Sequence, residues 1–304
     1  MTSLGRREDV AGAAGWMVLS GLAFTLMSVL VRRLSGQIPE ALLIFSRGAI
    51  NFTVILGLML IRREPLWVPG KPLLIFRGLM GTGGVTCLFY AIAHLPLPIA
   101  AMLNWCSPLF VVLFSRLFTA ERLGGRALLG LGVALFGLSM ALRPDLAFSG
   151  APEGLPWLPV AVGLLGAAFG GAAYVAVRAA TARVSAHAII LYFTATATVL
   201  SAPFAYRAGF RVPLTLASLA GWELLGVGLF ATVGQSAMTQ AYRLAPAGIV
   251  STLSLMNAVF SLGFGAWLFG ERLSPGQLAG MAVVGIGIVT VVRSPRLPLP
   301  TGLG

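Results

Sequence analysis

Charge is what this sequence has least of. Only 10% of its 304 residues are Asp, Glu, Lys or Arg, where a water-soluble domain carries about 25%. Carboxylates are scarcest, nine against 21 Lys and Arg. Reactive side chains are few as well: the cysteines are Cys87 and Cys106 and the histidines are His94 and His187. Both cysteines stand inside apolar runs, where they read as small packing residues and not as a disulfide. The histidines are far apart with no second ligand at metal spacing, so no metal site is expected. The 38 glycines do not follow a strand into a phosphate loop, which leaves nucleotide binding without support. No cofactor is implied, and no nucleophile, base or metal constellation suggests an enzyme.

What is abundant is apolar surface. At 58% hydrophobic, the chain cannot hide its side chains in one globular core, so part of its solvent must be lipid. Crossing about 30 Å of hydrocarbon as a helix takes about 20 apolar residues. Ten such runs lie near 11–31, 41–61, 73–93, 97–118, 126–142, 157–177, 187–206, 218–241, 247–268 and 276–292. The expected class is therefore all-α and integral to a membrane, with ten transmembrane helices. The first run is too long for a signal-peptide core and has no small-residue cleavage pattern after it, so it is expected to stay as a helix. The net charge of +12 does not point to nucleic acid, because the basic residues are scattered singly and in pairs between the runs. Assigning loops alternately from a cytoplasmic N-terminus puts 14 of them inside and 7 outside, which favours N-in and C-in under the positive-inside bias.

The Pro-, Gly- and acid-rich stretch RPDLAFSGAPEGLP near the midpoint reads as a linker. It divides the chain into a first five-helix repeat, 1–143, a linker, 144–156, and a second five-helix repeat with a short tail, 157–304. The halves resemble one another. GLAF at Gly21 recurs as GAAF at Gly166, and Arg33 matches Arg178 at the same offset. ERL at Glu121 recurs at Glu271, and Gly130, Gly137 and Arg143 match Gly280, Gly287 and Arg293. With an odd number of helices per repeat, the second copy starts on the opposite side of the membrane, so the repeats are inverted. Inverted repeats place a shared site near the bilayer midplane, as in many secondary transporters.

The paired patterns LPLPIAAMLNWCSPLFVVLFSRLFTAERL and LAPAGIVSTLSLMNAVFSLGFGAWLFGERL resemble the drug/metabolite transporter superfamily, EamA type, over essentially the whole chain. Within it the chain is most similar to the bacterial aromatic amino-acid exporter group. The resemblance implies export of amino acids or related metabolites by alternating access across the bacterial inner membrane. Rival readings are an exporter of toxic compounds, a phosphorylated-sugar exchanger, which would want paired basic residues in its cavity, and a non-transporting membrane scaffold. Partners are then a small-molecule substrate and the lipid bilayer, not nucleic acid. The oligomeric state is left open.

Candidate substrate contacts are polar groups where lipid would not tolerate them. An amide left unpaired in hydrocarbon costs about 2 to 7 kcal/mol, so Asn104 and Asn257 need a partner or a wet cavity. Asn104 with Ser107, and Ser254 with Asn257, share a helix face in equivalent places of the fourth and ninth runs. Interhelical glue and substrate contact are both open to them. Trp105 lies too deep for an interfacial aromatic belt. Thr86 and Tyr90 share a face of the third run, and Tyr174, Gln235 and Gln240 add hydrogen-bonding groups in the sixth and eighth. Tyr192 and the threonines from Thr194 to Thr198 do so in the seventh. Aromatic walls with neutral polar groups suit a zwitterionic or amphipathic solute. Pro108 should bend the fourth helix. Its counterpart is Ala258, which predicts inequivalent halves there. Arg47 and Arg77 are the deepest basic residues. Snorkelling to the interface is the expectation for both, and holding a substrate carboxylate is the alternative.

Overall fold

The computed structural model describes residues 9–34, 37–95, 97–119, 121, 123–142, 156–208, 219–270 and 272–294. No strand occurs among them, and each of the ten apolar runs is helical. The helices are α1 Val10–Leu34, α2 Glu40–Ile61, α3 Lys71–His94, α4 Leu97–Asn104, α5 Ser107–Phe114, α6 Gly125–Leu142, α7 Trp157–Thr181, α8 Ala186–Arg207, α9 Leu219–Leu244, α10 Ala247–Leu253, α11 Met256–Phe269 and α12 Pro275–Val292. A π-helical turn, Ser115–Thr119, extends α5. All but one residue of the expected linker lies outside the described residues.

Among the described residues, eight spans are long and apolar enough to cross a membrane, with α4–α5 and α10–α11 each forming one. The helices outside that count are α3 and α9, which are as long, at 24 and 26 residues. They are also where Arg77, Gln235 and Thr239 are buried.

The exposed surface is what lipid would select. Trp67, Trp157, Trp222 and Trp267 are more than half exposed and lie near helix ends or in a connection, the place where amphipathic rings favour a membrane interface. Trp105 sits mid-span, half-buried against the main core.

Helix pairing follows a two-fold pattern. Helix α1 packs on α9 as α3 packs on α7; α2 contacts α9 as α3 contacts α8; α2 pairs with α8 and α6 with α12. The α6–α12 seam shows the cause at residue level. A Cβ added to Gly130 would sit 2.8 Å from the Gly287 carbonyl oxygen, and one on Gly287 2.6 Å from that of Gly130. Gly137 and Gly280 oppose each other in the same way, at 2.8 and 2.7 Å. Without a hydrophobic force between helices in lipid, such small residues are what let backbones approach.

Candidate functional site

Two spans break at matching positions. Helix α4 ends at Asn104 and α5 begins at Ser107 with Pro108 in its first turn. Around the break, bonds tighten to the i−3 pattern: Cys106 N donates to Leu103 O at 3.1 Å and Leu109 N to Cys106 O at 3.0 Å. The Met102 carbonyl accepts instead from Cys106 Sγ at 3.4 Å. The ninth run breaks as well, between α10 and α11, although Ala258 stands where the first half has proline. The expected inequivalence of the halves therefore does not hold. A hydroxyl cluster supplies the second break. Ser254 Oγ donates to Ser251 O at 2.7 Å, while Ser251 and Thr252 both bond back to Gly248 O. Leu255 N then turns to Thr252 O at 3.1 Å. Serine and threonine that bond to nearby carbonyls compete with the helical ladder and bend it. A mid-helix 3₁₀ stretch is a common mark of a hinge.

The expected site residues fall into two groups. Asn104 and Trp105 are half-buried at the first break. Ser107 faces α7, where a Cβ on Gly170 would meet Ser107 Cβ at 3.6 Å, one turn from Tyr174. Tyr174 stacks on Tyr242 of α9, ring centroids 5.6 Å apart. Gln235 is 4% exposed, and its Nε2 is sealed from solvent without an acceptor. Asn257 turns to α1: a Cβ on Gly21 would lie 2.6 Å from its Oδ1, which is buried without a donor. Ser254 spends its hydroxyl on the break, and Gln240 is half-buried on another face of α9 from Gln235. Thr86 and Tyr90 are not gathered with these. Thr86 is about two and a half turns from Arg77 along α3, hence on its opposite face; it is exposed and bonded to Thr82 O. Tyr90 is exposed and stacked on His94 at 4.2 Å.

The side chains that sequence reasoning placed at the interface are the ones the structure buries. Arg77 is 3% exposed and does not snorkel. Its guanidinium lies over the Phe193 ring of α8, 3.7 Å from the centroid, with Nη1 against Gly81. Nε and Nη1 are sealed without an acceptor. Arg47, from α2, is half-buried and makes no hydrogen bond or ion pair with a described residue. It is within electrostatic reach of Arg77 and Tyr174, and Arg77 also reaches Tyr174 and Tyr242. Asn51, one turn beyond Arg47, has a buried, unpaired Oδ1. The depth of both arginines was visible in the sequence; Phe193 and Tyr242 carried no signal there.

One end of the bundle is tied together by ion pairs. Glu121 accepts from Arg178 Nε at 2.8 Å and from the Ala247 N–H at 3.0 Å, capping α10. Arg178 also donates to the Tyr242 carbonyl at 2.9 Å. Glu64 lies 2.7 Å from His187 Nδ1 and accepts from Ser185 Oγ at 3.1 Å. Beside this end opens a hollow of about 700 Å³, walled by Phe76, Met80, Phe114, Phe118 and Phe169 of α3, α5 with its π turn, and α7, with Arg183 among its lining residues. None of the ten expected site residues lines it.

Comparison with known proteins accounts for this architecture. The chain is 35% identical over 281 residues to the pseudopaline exporter CntI of Pseudomonas aeruginosa, covering 92% of this chain and 95% of that one. It is 28% identical to a riboflavin transporter of Rhizobium johnstonii, covering 94% and 92%. A solved crystal structure superposes with a TM-score of 0.77 over 92% of this chain and 96% of its own, at 19% identity, and so speaks for the fold alone. Residues 12–143 and 157–293 each match the model of one family. The chain is a multi-pass membrane protein of the EamA-like transporter family, whose relatives carry small metabolites.

Proposed function

We propose that this protein exports small amino-acid-derived metabolites across the bacterial inner membrane by alternating access. Its ten spans form two inverted five-helix repeats, 1–143 and 157–304, with both termini cytoplasmic. The observation carrying this reading is that spans four and nine are both interrupted, at Trp105–Cys106 and Ser254–Leu255, with polar residues flanking each break. Supporting it are the two-fold pairing of the other helices and a family match that occurs once in each half. Near-symmetry supplies two equivalent closures, one open to each side. In this reading Asn104, Trp105, Ser107, Tyr174, Gln235, Gln240, Ser254 and Asn257 contact substrate or hold the helices that do. Thr86 and Tyr90 face away and are left out.

Export of a small metabolite is supported by the near full-length likeness to a pseudopaline exporter, and an amino-acid-type cargo by a shorter likeness, 38% over 86 residues, to a probable amino-acid metabolite efflux pump of Salmonella typhimurium. The riboflavin transporter, at lower identity, indicates that membership alone does not set the cargo. The test is counterflow in proteoliposomes with labelled pseudopaline, an aromatic amino acid and riboflavin, with and without an imposed pH gradient. Exchange of pseudopaline or the amino acid is expected. Transport of riboflavin alone would move the substrate class elsewhere, and no exchange of any solute would favour the scaffold. A second reading, exchange of phosphorylated sugars, is favoured by one observation, the buried Arg77 with the half-buried Arg47 within its electrostatic reach. Labelled hexose phosphate in the same assay separates the two.

A further inference from the structure

The least compensated charge in the described residues is Arg77. A buried ion loses several kcal/mol of hydration even after the protein relaxes, and the Phe193 face returns only about 0.5 to 2 kcal/mol. A second guanidinium, Arg47, within electrostatic reach makes matters worse. Arginine cannot escape by neutralising, because it keeps its proton. The carboxylates whose side chains are described are committed elsewhere: Glu64 to His187, Glu121 to Arg178, Glu223 to Arg33, and Asp9 to the Gly12 N–H. Buried charges are ordinarily paired. Here no described side chain supplies the opposite charge.

We propose that Arg77 and Arg47 form an anion subsite that holds a carboxylate of the transported molecule, with Phe193 and the Tyr174–Tyr242 stack as its aromatic walls. This rests on the transport reading above and names the feature of the substrate that the protein recognises. Geometry favours a carboxylate. One guanidinium fork meets its two oxygens, leaving Arg47 to offset remaining charge or take a second carboxylate. Arg77 lies on the Phe193 ring with the stacked Tyr174 and Tyr242 within its electrostatic reach, and the neutral amides of Gln235 and Asn51 stand on α9 and α2. Rings cover an apolar or planar body well and offer little to the hydroxyls of a sugar phosphate. The buried Nε2 of Gln235 and Oδ1 of Asn51 are an unused donor and acceptor, fit for the amide or ammonium of an amino-acid-type solute. The seams around the site are close: a Cβ on Gly48 or Gly78 would meet Thr198 or Thr196 of α8 at 2.9 or 2.6 Å, and one on Gly81 would meet Phe193 at 3.0 Å.

The test uses the purified full-length protein at constant ionic strength, reading thermal stabilisation by phenylpyruvate, its methyl ester, phenethylamine and glucose 6-phosphate. The acid is expected to stabilise the wild type, and the ester and amine to have little effect. Arg77→Gln should weaken the acid's apparent affinity about 10- to 100-fold, the worth of a charge-assisted hydrogen bond, with Arg77→Lys in between. If Arg77→Gln does not fold, Arg47→Gln carries the test, with a smaller loss expected. No stabilisation by the acid, equal stabilisation by acid and ester, a response only to glucose 6-phosphate, or an unchanged response in the arginine variants would each overturn the subsite. Counterflow distinguishes this from failure of the transport reading. Acid binding without transport of any solute sinks that reading and leaves the subsite. Full transport by a folded Arg77→Gln protein sinks the subsite and leaves the reading.

Discussion

Asn257 poses the question of glue or substrate contact at a single atom, because its Oδ1 is buried against Gly21 and accepts no hydrogen bond. An amide serving as glue would be paired; one serving substrate can wait for its donor. Leucine has nearly the shape of asparagine, and removing an unsatisfied buried polar group is neutral to slightly stabilising. Asn257→Leu is therefore expected to leave the melting transition in detergent within about 1 kcal/mol of wild type, while counterflow falls. A loss of stability beyond about 2 kcal/mol with transport intact would make Asn257 a packing residue. Arg77 shows where residue-level reading stops. Its depth in a span was legible, but the choice between reaching out and folding in depends on Phe193, 116 positions later, and no local pattern encodes that neighbour.

Among the elements, α6 and α12 offer the sharpest prediction. Gly137 faces backbone, with the Val284 nitrogen 2.5 Å and the Gly280 oxygen 2.8 Å from any added Cβ, and backbone cannot swing aside. Gly132, on the same helix, meets nothing within 4 Å. Gly137→Ala should therefore cost about 1 to 3 kcal/mol through forced separation of the helices. Gly132→Ala should be neutral or gain up to about 1 kcal/mol from helix propensity. Thermal unfolding of both variants in one detergent checks the contrast, and equal behaviour would refute the close seam. The matches of Gly130 and Gly137 with Gly280 and Gly287 could be read from the sequence as a repeat. That the four meet one another could not, because an internal match says which residues are equivalent and not which are neighbours. The ninth span teaches the complementary lesson. No proline marks its break; Ser251, Thr252 and Ser254 reach a similar bend through hydroxyl bonds to carbonyls three or four residues earlier.

For the molecule as a whole, orientation is the property most open to direct test. The end bearing Glu64, Glu121 and Arg183 is the cytoplasmic one in the proposed topology, and Trp157, 77% exposed at the start of α7, marks the other. The two native cysteines can be replaced by serine, which in Cys106 keeps a donor for Met102 O. In that background Arg183→Cys should react with a membrane-impermeant thiol reagent only in inside-out vesicles, and Trp157→Cys only in right-side-out ones. Labelling of both from one side would refute the crossing of α7 and the topology with it.

Membership of the lipid phase and the all-helical character of the chain follow from the sequence alone, because both depend on local composition and spacing. A run of apolar residues seeks hydrocarbon whatever its neighbours are, and a helix closes its own hydrogen bonds. Tertiary structure decided what each inward face meets: Arg77 laid on Phe193, Asn257 set against Gly21, Tyr174 stacked on Tyr242, and Thr86 and Tyr90 turned away. Those outcomes depend on helices distant in sequence packing at particular rotations, and a change of a fraction of a turn would send the same side chains to lipid.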